Sequence, residues 1–290
     1  MERRALRKWL VGGPPLAYLL FFFAAPLAIM VVASWRSPGD FGGLAPLVLE
    51  NKLNLTADAY AALFSDFLYA RLFLKSLGYA ALATALCLAA GYPLALLIAR
   101  SPRKYRDILL LLVILPFWSN FLIRVYAWMT ILGPQSFVMA ALNGILGLVG
   151  FGPVSLLYTP AAVVVTLVYV HLPFMVLPLY ANLEKHDPAL LDAAQDLGAG
   201  AWQRFWRVTF PLSLPGVYAG AALVFIPAFG IFAIPDLVGG TGGIMIGNVI
   251  KQQFLDARDW PFGAALSLVL MASAIALAGL AAAFGRGARA

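Results

Sequence analysis

The chain has 290 residues, 62% of them hydrophobic and 11% charged, with 20 Lys and Arg against 13 Asp and Glu for a formal charge of +7. That is more apolar surface than one water-soluble core buries, so the chain belongs in a bilayer. A single cysteine, Cys87, excludes an internal disulfide, and no Cys/His pair has metal-ligand spacing.

A bilayer core needs about 20 apolar residues per helix, and runs of that length predict six spans near 10–34, 72–99, 107–133, 157–182, 214–236 and 262–284. The first follows Arg3, Arg4, Arg7 and Lys8, as a signal peptide would, but its apolar stretch is too long and has no convincing small-residue cleavage site, so it reads as a retained helix. Residues 37–70 form a long external segment, with Thr56 as N-cap of a short amphipathic helix carrying Tyr60, Leu63, Phe64 and Phe67 and lying flat on the outer face. With the N-terminus inside, Arg3, Arg4, Arg7, Lys8, Arg100, Arg103, Lys104, Arg106, Lys185, Arg204, Arg207, Arg286 and Arg289 fall on one side, 13 of the 20 basic residues. The positive-inside rule then puts both termini in the cytoplasm and accounts for the basic excess without nucleic acid. The division expected is an N-terminal helix with its external segment at 1–71 and a five-helix core at 72–290. Neither a phosphate-binding G-x-x-x-x-G-K-[ST] loop nor H-E-x-x-H or G-x-S-x-G occurs, so the chain does not hydrolyse nucleotide and has no catalytic or metal-binding residues to name.

Between the fourth and fifth spans lies a cytoplasmic stretch running from Glu184 to Pro211. Asp187 suits the N-cap and Pro188 the first helical position. Leu190, Leu191, Ala194 and Leu197 fall on one apolar face, and Gly198 suits a left-handed C-terminal residue. The pattern predicts a bounded helix over about 188–198, followed by a second amphipathic piece at about 201–208 with Trp202, Phe205 and Trp206 on its apolar side and Arg204 and Arg207 toward headgroups.

Asp192-Ala193-Ala194, then Gly198, then Val208-Thr209-Phe210-Pro211 resembles the E-A-A-x3-G-x9-I-x-L-P signature of ABC importer permeases, with Asp, Val and Phe in place of Glu, Ile and Leu. Three further stretches, Pro116 to Arg124, Leu172 to Tyr180 and Ile246 to Gly263, are similar to the spermidine/putrescine type of that family. The resemblance implies a type I ABC importer permease fold: an all-α bacterial inner-membrane protein of six transmembrane helices. It implies that the short helix is a coupling helix in which Asp187, Leu191, Asp192, Ala193, Ala194, Leu197 and Gly198 meet an ATPase subunit. It further implies two such ATPase subunits carrying ATP and Mg, a second homologous permease, an external solute-binding protein, and no cofactor bound by this chain. The same fold serves other small solutes.

Ionisable and aromatic groups at the span edges are the pathway candidates. Asp236, after Pro235 at the outer end of the fifth span, suits a cationic solute, and Trp118, Tyr126 and Trp128 suit cation–π contact with ammonium groups. Arg124 is expected to snorkel to the headgroups, and His171 to be a hydrogen-bonded buried histidine. Pro116, Pro173, Pro178, Pro227 and Pro235 interrupt helices that would line a pathway. The rivals are a secondary transporter, which would show inverted repeats and an intramembrane ion site, and a membrane enzyme, which would need a nucleophile or carboxylate pair at membrane depth.

Overall fold

The computed structural model describes residues 2–49 and 52–287. Arg289 and the side chains of Arg3, Arg4, Arg7, Lys8, Lys52 and Arg286, all used in the charge count, lie outside what it describes. The described helices are α1 (Glu2–Ser34), α2 (Asp58–Ser65), α3 (Phe67–Arg100), α4 (Arg103–Ile114), α5 (Phe121–Leu132), α6 (Phe137–Leu148), α7 (Pro160–Leu183), α8 (Ala189–Asp196), α9 (Ala201–Arg204), α10 (Phe210–Gly230), α11 (Ala233–Val238), α12 (Ile246–Leu255) and α13 (Trp260–Gly287). Six stretches are long and apolar enough to cross a membrane: Gly12–Ser34, Phe67–Arg100, Phe121–Leu148, Pro160–Leu183, Ala201–Gly230 and Trp260–Gly279.

Two of these differ from the sequence reading. A single third span at 107–133 does not form. Pro116 has no N–H to donate and its ring crowds the carbonyl of Leu112, so α4 gives way to a 3-10 turn at Leu115–Trp118. Ser119 is extended, and Asn120 starts α5 afresh by accepting from Leu122 N at 2.8 Å. The fifth span starts earlier and ends earlier than 214–236. A π-helical stretch, Phe205–Thr209, joins α9 to α10, so the amphipathic piece and the span are one helix over Ala201–Gly230. The chain then breaks at Ile231, and Asp236 belongs to a separate short helix, α11.

The chain divides into two units, Met1–Ala70 with Val249–Ala272 and Arg71–Asn248 with Ser273–Ala290. In the first, residues 37–57 hold β1 (Val48–Leu49) paired antiparallel with β2 (Lys52–Leu53). The ring of Tyr60 on α2 packs 5.4 Å from Trp35, and its hydroxyl lies 2.9 Å from Ser34 Oγ. Leu63 is buried while Phe64 is exposed, but the helix is shorter than the sequence pattern suggests: Asp66 is extended, and Phe67 begins α3 instead. Thr56 does not cap that helix: its hydroxyl has no partner, and the N-cap position is Ala57.

The second unit is built on α3, α7 and α10. Cys87, Ala95 and Ile98 of α3, Met175, Val176 and Leu179 of α7, and Val217 and Val224 of α10 form one buried cluster. Lipid tails are as apolar as leucine, so helices associate in a bilayer chiefly by close fit, which small residues permit. A Cβ on Gly220 would stand 2.7 Å from Met175 Sδ and 3.1 Å from its carbonyl oxygen, and one on Gly216 would stand 2.8 Å from Asn182 Cβ. The backbones of α7 and α10 therefore touch where α10 presents glycine.

Candidate functional site

The short helix predicted over about 188–198 is present as α8, Ala189–Asp196. Asp187 Oδ1 accepts from Ala189 N at 3.0 Å, which satisfies one of the donors that a helix start leaves unpaired, and Pro188 occupies the first turn, where its missing N–H costs nothing. At the other end Gly198 has φ +81°, its N–H donates to Gln195 O at 2.8 Å, and Ala199 N donates to Ala194 O at 3.0 Å. These are the paired bonds of a Schellman end, and the left-handed residue between them is one that glycine adopts without a Cβ clash.

The apolar face read from the sequence is divided in two. Leu191 and Ala194 are half-buried against the 205–209 stretch and α9, whereas Leu190 is 47% and Leu197 89% exposed. Asp192, Ala193 and Gly198 are also exposed, and no atom lies within 4 Å of the position a Gly198 Cβ would take. The outward surface of α8 is therefore a strip of small and leucine side chains with no covering from this chain, open to another protein.

One polar tie reaches α8 itself, and others fix the elements on either side of it. Arg204 Nη1 donates to Gln195 Oε1 at 2.6 Å, and Gly200 N donates to Gln203 Oε1 at 3.3 Å to start α9. Arg106 bonds Glu184 at 2.8 Å and, through Nη2, the carbonyls of Ala99 and Ser101 at 2.9 and 3.3 Å. That single guanidinium joins the α3–α4 turn to the end of α7. The Glu184 carboxyl is held below its ordinary value chiefly by a hydrogen bond from Tyr180, opposed by loss of hydration and assisted by Arg106 and by the charge of Arg103. The Arg106 link escaped the sequence reading because nothing in the spacing of residues 106 and 184 marks them as neighbours.

Beyond Thr209 an aromatic cluster anchors the helix. Phe205 and Phe210 pack on the Tyr92 ring at 5.5 and 5.9 Å, and the Tyr92 hydroxyl lies 2.8 Å from Ser213 Oγ. Trp202 and Trp206 stay 73% and 46% exposed, as expected of an interfacial belt.

The pathway candidates are not gathered into one pocket. Asp236 is exposed on α11, which packs against α5 and α7. Tyr126 is exposed on α5, and Trp128 turns instead to Tyr169, 5.4 Å between ring centroids. Trp118 is 74% exposed on the 3-10 turn. Arg124 does not snorkel. It is buried, its guanidinium sits 4.7 Å from the centre of the Phe117 ring, and its Nε and Nη1 have no partner. The physical reason is its place on the packed face of α5 beside Val125, which points the side chain inward. His171 is 3% exposed with Nδ1 2.9 Å from Leu167 O, a satisfied buried histidine.

The Ile246-Gly247-Asn248 motif has a structural office. Asn248, 2% exposed, accepts from Met245 N at 3.0 Å and donates to Phe232 O at 3.0 Å. A Cβ on Gly247 would lie 2.6 Å from Gly230 O and 2.7 Å from Ile231 O. Together they pin the break between α10 and α11 and so set where Asp236 stands.

Over residues 91–290 the chain matches the family described as binding-protein-dependent transport system inner membrane component. It is 48% identical over 253 residues, 87% of this chain and 88% of the relative, to the spermidine/putrescine transport system permease protein PotB of Escherichia coli strain K12. It is 44% identical over 262 residues to the protein of that name from Haemophilus influenzae, covering 88% and 87%, and 30% identical over 270 residues to the inner membrane ABC transporter permease protein YdcU of Escherichia coli, covering 90% and 83%. A chain from the crystal structure of a bacterial ABC transporter that imports the acidic polysaccharide alginate superposes with a TM-score of 0.76 at 19% identity, over 98% of this chain and 97% of that one. A second structure, of the alginate ABC transporter in complex with a pentasaccharide-bound periplasmic protein, gives a TM-score of 0.75 at 20% identity, over 97% and 95%.

Proposed function

This chain belongs to the family of binding-protein-dependent transport system inner membrane components, and on that premise we propose that it is the permease subunit through which a polyamine such as spermidine or putrescine crosses the bacterial inner membrane. The subunit itself is not catalytic. What carries the polyamine reading is identity of 44–48%, spread over about 87% of the chain, with permeases of spermidine/putrescine systems.

In this reading both termini are cytoplasmic, residues 72–290 form the five-span core, and 1–71 supply the first span and an external segment. A homologous second permease completes the pore. A solute-binding protein delivers the polyamine from outside, and two ATPase subunits, holding ATP and Mg, receive the exposed face of α8 through Asp187, Leu191, Asp192, Ala193, Ala194, Leu197 and Gly198. The cap at Asp187 and the Schellman end at Gly198 make α8 a short body with fixed ends, so that closure of the ATPases displaces it as a unit and switches the access of the pore. Asp236, Trp118, Tyr126 and Trp128 stand along the route, with Asp236 supplying negative charge toward an ammonium group.

The test is uptake of radiolabelled spermidine by the complete transporter in proteoliposomes containing ATP, with unlabelled putrescine as competitor. ATP-dependent uptake that putrescine reduces supports the proposal. Uptake of another solute class with none of spermidine refutes the substrate and leaves the family assignment standing.

A further inference from the structure

Beside the first turn of α8, with Asp187, Leu190 and Leu191 at its edge, lies a cavity of about 540 Å³, walled otherwise by the end of α3, the start of α4, the end of α7 and the 205–209 stretch. One wall is apolar, with Leu96, Leu183 and Leu212. The other carries Arg100, Arg103, Arg106 and His186. Two carboxylates also reach it, but both are engaged: Glu184 with Arg106 at 2.8 Å, and Asp187 with the amide of Ala189 at 3.0 Å. Among the described residues Arg100 and Arg103 have no ion-pair partner.

Arg106 is neutralised by Glu184, but Arg100 and Arg103 are exposed and line the same space. Two guanidinium groups on one side of a space of this size suit an anion with several acceptor oxygens, because guanidinium forks match phosphate geometry. A polycation would be repelled there, so the cavity is separate from the proposed route of the solute.

We infer that this cavity is a binding site for a phosphate-bearing group, the headgroup of an acidic phospholipid or free phosphate, held by Arg100 and Arg103 beside α8. The leucine wall and the exposed Trp202 and Trp206 nearby set it at headgroup depth, where a lipid can place its phosphate among the arginines and its chains along the leucines. An occupant bridging α3, α4 and the first turn of α8 would fix the stance of the coupling helix. The inference rests on the reading of α8 as that helix, on the cytoplasmic side.

The assembled transporter is reconstituted in nanodiscs of phosphatidylcholine alone or with phosphatidylglycerol, and lipid retained through detergent extraction is measured by mass spectrometry. Radiolabelled inorganic phosphate is offered to the phosphatidylcholine discs by equilibrium dialysis. The wild type should retain phosphatidylglycerol preferentially. R100Q/R103Q should retain on the order of 25-fold less, since each basic side chain near an anionic surface is worth roughly fivefold, and R100K/R103K should restore most of it. Labelled phosphate that binds the wild type and not R100Q/R103Q, without phosphatidylglycerol enrichment, identifies free phosphate as the source and supports the site. Equal lipid retention and equal phosphate binding by wild type and R100Q/R103Q overturn it. If that variant instead loses only its ATPase, equally in both disc types, the arginines belong to the ATPase interface and the site is likewise overturned. None of these readings requires spermidine, so a wrong solute would appear separately, as ATP hydrolysis indifferent to spermidine-loaded binding protein. A wrong topology would appear as labelling of K104C from the outer face.

Discussion

Gly198→Val should uncouple transport while leaving the subunit inserted. At φ +81° a valine costs about 1–2 kcal/mol more than glycine. Relaxing to an extended backbone offers no escape, because it gives up the bonds from Gly198 N to Gln195 O and from Ala199 N to Ala194 O. The open space around the Cβ position means that nothing in this chain clashes, so the whole intramolecular effect is conformational. A penalty of about 1–2 kcal/mol lowers the ratio of capped to frayed helix roughly 5- to 30-fold, and an eight-residue helix has no propensity to spare, so much of that factor reaches its population. Spermidine uptake in proteoliposomes should fall by a similar factor, with ATP hydrolysis no longer answering to loaded binding protein, while immunoblots of the membrane fraction stay at wild-type level because the six spans are untouched. Gly198→Asn separates two causes. Asparagine accepts the left-handed conformation, so it should retain most activity if the backbone alone matters, and should fail like valine if the ATPase packs directly on this residue. Wild-type uptake together with wild-type stimulation in Gly198→Val would refute the coupling role of α8.

Asp236→Asn should raise the half-saturating spermidine concentration about threefold to fivefold, equivalent to roughly 1 kcal/mol for an exposed charge, with the complex still eluting intact; unchanged uptake kinetics would leave Asp236 a structural residue. Reporter fusions after residues 104 and 205 should read cytoplasmic and those near 50 and 250 external, and an external reading near 205 would remove the coupling assignment. Gly220→Val forces a side chain against Met175 at the α7–α10 contact, where overpacking costs about 1–3 kcal/mol. The purified protein should melt at a lower temperature, and an unaltered Tm would mean that the two helices are not in close contact there.

Most of the α8 region was legible because its signals are local. Asp187, Pro188 and Gly198 act within a turn of themselves, so their meaning does not depend on the rest of the fold. The same holds for span lengths, which follow from bilayer thickness. The errors came where a local rule competes with packing. Pro116 reads in the sequence as an interruption within one span, yet a missing donor and a displaced carbonyl are enough to end α4 outright. The Arg and Trp residues at 202–207 suggested a surface piece distinct from the fifth span, but a π-helical stretch accommodates the change of face without breaking the helix. Arg124 illustrates a third kind of failure. Its place near a span end suggested the headgroups, and only the position of Phe117 reveals that it faces inward. The Arg106–Glu184 pair is invisible to any local reading, since it joins parts of the chain that meet only after α3, α4 and α7 have packed.

The glycine contact between α7 and α10 has a mechanical consequence. The segment that carries α8 leaves from the end of α7 and returns into α10, and those two helices are clamped backbone to backbone at Gly216 and Gly220. It is therefore a handle fastened at both ends to one rigid bar. A push on such a handle cannot splay its two attachments apart, because the clamp sits within a few turns of where they emerge. A load would pass on as rotation or translation of the pair, and yielding is left to weaker points farther along: the prolines at 173 and 227, where the ladder of backbone bonds is already interrupted, and the break at Ile231.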